Sequence, residues 1–273
     1  MKILLKHFGF AALLSLVLVP WLSMADDEPE EQWQTLKEIY FEDKTILEDA
    51  DDWLIIEAPK RAEDAAIVPI HLISKKPQKT NSYIKNLHVF IDNNPMPYSA
   101  NFHLSPVLET VDISTRMRVD QYTYIRAIAE MNDGSLHMVK RFVKASGGCS
   151  APAAKDQVAA MARLGKMQIR YRDADSDEAK PVQVVISHPN NSGLQMDLKT
   201  RGYIPAHYVE KMQVTLDDKV LMTIDTGISI SEDPSMRFVL PAGKEGHGVL
   251  KAEVTDNKIS FRTKITWGLE IER

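Results

Sequence analysis

From residue 53 onward, a period-two alternation of apolar and polar side chains recurs along the chain, cut by turn-forming residues. Leu87, Val89 and Ile91 alternate with His88 and Phe90, and Met212, Val214 and Leu216 face Val220, Met222 and Ile224 across Asp217-Asp218-Lys219. Side chains that alternate this way lie on opposite faces of a strand, so a chain built of them must bury one face of a sheet against another. The expected fold is all-β, with two immunoglobulin-like β-sandwiches in tandem joined by a short linker or helix.

In the first half, strands are expected at Trp53–Ile56, Ile67–Ile73, Leu87–Ile91, Ala100–Leu104, Ser114–Arg118, Thr123–Ala129 and Leu136–Lys144. Pro69 inside the second of these points to an edge strand or a strand start, because proline donates no ladder hydrogen bond. Asn132-Asp133-Gly134-Ser135 is a strong hairpin turn. Trp33, Leu36, Ile39 and Tyr40 recur at helical spacing over residues 31–41, a helix expected to pack over a sandwich edge.

In the second half, Val182–Ile186, the Met212/Val220 hairpin, Met236–Leu240 and Val249–Val254 read as strands. Asp256-Asn257 reads as a two-residue turn into the alternating run Ile259–Trp267. Between the halves, Pro152–Leu164 is rich in alanine, with Val158, Met161 and Leu164 at helical spacing, and reads as the linker or short helix.

Four segments follow: 1–25, a secretory signal; 26–148, the first sandwich; 149–166, a cysteine arm and linker; and 167–273, the second sandwich. The signal reading rests on Lys2 and Lys6, the apolar run Phe8–Val19 and the small-residue site Ser23-Met24-Ala25. That run falls short of the roughly 20 apolar residues a membrane helix needs. Export to the periplasm, with no membrane anchor after cleavage, is the expected localisation. A net charge of -5 argues against nucleic acid as a partner, which selects basic faces.

Export gives weight to the single cysteine, because an unpaired thiol in an oxidising compartment invites mispairing. Cys149 follows Gly147 and Gly148 and precedes Ser150-Ala151-Pro152, neighbours too small to bury a thiol by themselves. An exposed, reactive thiol on a pliable stalk is therefore expected ahead of an intermolecular or regulatory disulfide or an incidental thiol, and Lys144 or Lys155 would favour the thiolate if turned toward it. No catalytic residue is expected, since no base or orienting group is identifiable near Cys149 and no hydrolase elbow is present. His71, His88, His103, His137, His188, His207 and His247 lack the paired spacing of a zinc site, so neither a metal nor another cofactor is expected. The acidic runs Glu48–Asp52 and Asp173–Glu178 read as solvated loops.

Particular residues carry a family resemblance. Ala66-Ile-Val-Pro-Ile70, Asn94-Pro-Met-Pro97, Ala100-Asn-Phe102, Ser114-Thr-Arg-Met-Arg118, Asn132-Asp-Gly134 and Val143–Cys149 resemble SoxY, the sulfur-carrying half of the SoxYZ pair of bacterial thiosulfate oxidation. His188-Pro189, Ser192-Gly193, Ile204–Met212 and the final hairpin resemble SoxZ. The resemblance implies two packed sandwiches and a carrier without catalytic residues of its own. Cys149 would be the covalent attachment point for substrate, and Gly147 and Gly148 the hinge of a swinging arm. The partners implied are periplasmic sulfur-oxidation enzymes.

Two departures bear on this. The halves are fused, and Ser150-Ala151-Pro152 stands where the family has two glycines and the chain end, so the arm is tethered at both ends. Fused chains of this kind resemble carriers associated with quinoprotein (pyrroloquinoline-quinone) dehydrogenases, which makes that system the other candidate partner. The fusion favours a monomer with intramolecular pairing of the two domains. A non-covalent docking module and, less well supported, a thiol-redox protein are the competing readings of the residues.

Overall fold

The computed structural model describes residues 31–152, 157–171, 181–197, 199–240, 249–258 and 265–270. The signal-like segment, Lys155, Asp173–Glu178, His247 and residues 259–264 lie outside them.

Eight strands form in the first half: β1 (Ile46–Leu47), β2 (Leu54–Glu57), β3 (Val68–Ser74), β4 (Ile84–Ile91), β5 (Tyr98–Leu104), β6 (Asp112–Met117), β7 (Thr123–Met131) and β8 (Leu136–Val143). Seven form in the second: β9 (Met167–Tyr171), β10 (Pro181–Ile186), β11 (Val209–Leu216), β12 (Lys219–Thr226), β13 (Ser235–Val239), β14 (Val249–Asp256) and β15 (Ile265–Glu270). Among the described residues these make two sheets, ordered β1-β8-β7-β4-β5-β12-β11-β14-β15 and β2-β3-β6-β13-β10-β9.

Both sheets cross from one half into the other. At one seam β5 pairs antiparallel with β12, from Ala100 opposite Thr226 to Leu104 opposite Met222. At the other, β6 meets β13 at Ile113 opposite Phe238 and Ser114 opposite Arg237. The two immunoglobulin-like sandwiches therefore join edge to edge. Each edge strand that a lone sandwich would leave open at this boundary finds its partner in the other half. One apolar core runs through both, with Phe102, Ile113, Ile224 and Phe238 all fully buried beside the seams.

The alternation reads through directly. Val68, Ile70 and Leu72 are buried on β3, and Val182, Val184 and Ile186 on β10. Pro69 sits at a strand start: β2 pairs only with His71–Ser74, so no ladder partner on that side asks Pro69 for an N–H. The turn between β11 and β12 is tight, with Asp217 and Asp218 at φ 48° and 62°, the double left-handed geometry that suits the twist of a two-residue hairpin.

Three expectations need correction. The helix α1 (Glu31–Phe41) lies on an outer sheet face, not over an edge. The second concerns which of its residues pack: Trp33, Leu36 and Phe41 do, on Phe90, Ile128, Leu136 and Met138, while Ile39 and Tyr40 are exposed. This cover also buries Arg126, whose Nε donates to Asp92 Oδ2 at 2.8 Å and whose guanidinium lies 4.6 Å from the Trp33 ring and 5.2 Å from that of Tyr124. The third correction concerns Asp256-Asn257, which is no two-residue turn: Val254 pairs with Ile265, so a longer connection separates β14 from β15. The linker contains one short helix, α2 (Gln157–Ala162).

Candidate functional site

Cys149 follows β8 at the junction of the two halves. The chain passes Arg61, bridged to Lys144, and turns back over the segment Arg118–Asp120 that leaves β6. Gly147 N–H donates to Asp120 O at 2.7 Å and Gly148 N–H to Val119 O at 3.1 Å. Cys149 N–H donates to Asp120 Oδ1 at 3.2 Å, and Asp120 is itself fixed by Asn94, whose Oδ1 accepts its N–H at 2.8 Å. From the second half, Ser192 Oγ donates to Cys149 O at 2.5 Å. Both halves thus hold the cysteine, mostly through backbone.

The two glycines serve different needs. Gly147 takes φ 75°, a left-handed turn that glycine adopts without strain. Gly148 is a matter of space: a Cβ there would lie 2.1 Å from Ala65 O and 2.6 Å from Val119 O. The strap lies so flat on backbone that only glycine fits.

The thiol is therefore not the exposed group that the small neighbours implied. Cys149 is fully buried, unpaired, and covered by residues distant in sequence. Burial pushes its pKa up to about 12, the Asp120 carboxylate adds to the rise, and Arg118 opposes it. Docked, Cys149 is a neutral thiol and a poor nucleophile. Lys144 does not supply the expected charge, since its Nζ lies 5.8 Å from the Tyr122 ring.

Arg118 is the residue that sequence reasoning missed. It is 2% exposed, and its Nη1 donates to the carbonyls of Ile228, at 3.1 Å, and Ile230. It lies 31 positions before Cys149, and nothing in its spacing marks it. The Asn94, Arg118 and Ser229 contacts bring it in: Asn94 Nδ2 donates to Arg118 O at 2.8 Å and to Ser229 Oγ at 2.9 Å.

The histidines scatter as expected, with one exception. His188, His207 and Asp256 form a buried trio whose candidate ligand atoms all lie within 4.8 Å of one another. His207 Nε2 donates to Asp256 Oδ2 at 2.9 Å, and His188 Nε2 lies 3.7 Å from the same oxygen. The protonation pattern does not fit a metal. His188 Nδ1 accepts the Asn190 N–H at 3.0 Å, so the neutral ring carries its proton on Nε2, the atom a metal would need bare. Burial, then His207, lowers the His188 pKa to about 4, consistent with a ring kept neutral. The trio is a polar network that braces the loop from His188 to Ser192, and that loop holds Cys149 O.

Comparison with known proteins converges on both halves. Residues 37–149 match the family described as sulfur oxidation protein SoxY, and residues 169–266 match that described as sulphur oxidation protein SoxZ. Among solved structures, the sulfur carrier protein SoxY from Chlorobium limicola f thiosulfatophilum is similar at 24% identity over 42% of this chain and 91% of its own, with a TM-score of 0.35. A superoxide reductase (neelaredoxin) from Ignicoccus hospitalis is similar at 14% identity over 34% of this chain and 79% of its own, with a TM-score of 0.30. No curated protein matches.

Proposed function

The chain belongs to the SoxYZ family, with a SoxY domain and a SoxZ domain in one polypeptide, and from that premise we propose that it carries a sulfur-containing group covalently on Cys149 and presents it to partner enzymes. Its domains are those of a sulfur-oxidation carrier and not of a catalyst. One observation carries the assignment of the site: the sole cysteine is the last residue of the SoxY match, on a strap held to the protein mainly by three donated backbone N–H groups. Lifting the Gly147–Cys149 part of that strap breaks these bonds and the one from Ser192 Oγ, and no pairing between the named strands.

Release is required, because the docked thiol is buried and protonated. Residues 144–156 span the gap from β8 to α2, thirteen in all, and Cys149 is the sixth. Six extended residues carry the sulfur at most about 20 Å from its anchor. That reach suits a partner with a shallow entrance. Gly147 and Gly148 are where the backbone turns as the strap lifts. The N-terminal segment, with Lys2, Lys6 and the apolar run Phe8–Val19, supports work in the periplasm.

The intact mass of protein taken from its native compartment, before and after reductant, tests this reading. A reductant-labile sulfur adduct on Cys149 is expected, together with loss of function in a folded Cys149→Ser variant. A fully active serine variant overturns the carrier function.

The double tether and the buried thiol favour one second reading, a non-covalent module docking on a quinoprotein dehydrogenase. Equal capture of such an enzyme by wild type and Cys149→Ser, with function intact, would select it.

A further inference from the structure

We propose that Arg118 is the internal counter-ion for an anionic sulfur group on Cys149, so that the docked strap selects negatively charged cargo. This rests on the carrier function proposed for Cys149.

Arg118 is a buried cation with no carboxylate hydrogen-bonded to it among the described residues. Among the described residues, its guanidinium meets only neutral acceptors, the carbonyls of Ile228 and Ile230, and its buried Nε has no hydrogen-bond partner. Its backbone is immobile, tied through N–H to Ser229 O at 2.6 Å and through C=O to Asn94. Guanidinium stays charged under nearly all conditions, so a buried one with an idle donor is expensive unless an anion sits beside it. Two acidic groups act on it: Cys149, and the half-buried Glu232, whose carboxyl burial shifts toward the neutral form. Asp120, the other carboxylate at the strap, has an oxygen engaged by the Cys149 N–H and repels charge on the sulfur.

A bare thiol leaves this arrangement unfinished. It is neutral when docked, which leaves the half-buried Glu232 as the acidic group acting on the Arg118 charge, and no acceptor on its Nε. A persulfide or an S-bound sulfur oxyanion brings a full negative charge to the same buried space. The idle N–H of Arg118 is then the natural donor, in a charge-assisted hydrogen bond. Sequence supplies half of this, in the closing arginine of Ser114–Arg118, and the fold supplies the other half by laying Gly147–Cys149 along residues 119–120.

Two isosteric adducts separate charge from shape. Iodoacetate and iodoacetamide each alkylate the Cys149 thiolate, the sulfur displacing iodide as the S–C bond forms. They leave an anionic carboxymethyl or a neutral carboxamidomethyl group. Redocking of each adduct is read from hydrogen-exchange protection of the Gly147 and Gly148 amides in the full chain. The carboxymethyl adduct is expected to protect these amides about tenfold more, the order of a charge-assisted hydrogen bond. Arg118→Gln should abolish the difference, and Arg118→Lys should restore part of it. Equal protection of the two adducts in wild type overturns the proposal, whether or not the variants fold. A purely structural role for Arg118 would change both adducts alike. Because the adducts are synthetic, the result is independent of whether the native protein carries sulfur, which the mass and serine-variant experiment decides.

Discussion

Replacing Gly148 with alanine tests directly whether docking controls the thiol. The new methyl would lie 2.1 Å from Ala65 O and 2.6 Å from Val119 O, both backbone atoms. Ala65 O cannot retreat freely, since it accepts the Val119 N–H at 2.9 Å. The strap must lift, which breaks the three N–H bonds from Gly147, Gly148 and Cys149. At about 1 kcal/mol each they hold wild type shut by about 3 kcal/mol, so roughly one molecule in 150 is open. Permanent opening should then speed alkylation of Cys149 by iodoacetamide at neutral pH about 100-fold. The thiol's own energetics give the same order. A pKa falling from about 12 to the ordinary 9.0 raises the thiolate fraction by about 10³. The lower basicity of the freed thiolate takes back a factor of about 20, leaving about 50-fold. The assay is the rate of mass gain under excess reagent, with the melting temperature as a control for folding. Rates within threefold of wild type in a folded variant would refute the reasoning, because the thiol would then be accessible without release.

Three further outcomes are expected. The docked strap keeps a proton on Cys149 that the released strap loses above about pH 9, so docking should weaken as pH rises from 9 toward 12; the melting temperature of wild type relative to Cys149→Ser should fall across that window. His188 is neutral in the fold down to about pH 4 but takes a proton near 6.5 when unfolded, so stability should be lost as pH falls from 6.5 to 4, by up to about 3 kcal/mol, and His188→Gln should flatten that slope; dialysis against a chelator should leave the melting temperature unchanged. Arg126→Met breaks the buried ion pair with Asp92 and should cost about 3–5 kcal/mol in urea unfolding, with the Cys149 alkylation rate unaltered.

Much of the fold was legible because period-two burial leaves a direct trace. Leu87, Val89 and Ile91 announce their face, and Asn132–Ser135 and Asp217-Asp218 announce their turns. The two-residue β1, paired parallel with β8, leaves no such trace. The burial of Arg126 left no trace either, since a sheet face covered by a helix and one facing water alternate alike until the helix is placed. At the site, Cys149 was readable as the singular residue, but its burial was not. Small neighbours say only that local side chains cannot cover a thiol. The strap that carries it lies against Ala65 and Val119–Asp120 and is held by Ser192, all of them hidden by chain distance. The same holds for His188 and His207, which meet only because their loops meet at Asp256.

The shared sheets have a consequence for what fusion achieves. Two separate chains meeting at β5–β12 and β6–β13 would come apart on dilution, exposing two open strand edges on each half. In one polypeptide that dissociation becomes an internal opening whose equilibrium no longer depends on concentration. A proteolytic nick in the linker would therefore leave the fragments together at first, held by the ladder from Ala100–Thr226 to Leu104–Met222. It would also convert the strap from a loop fixed at both ends into a free tail. Nicking would thus lengthen the sulfur's reach while leaving the seam that buries it intact.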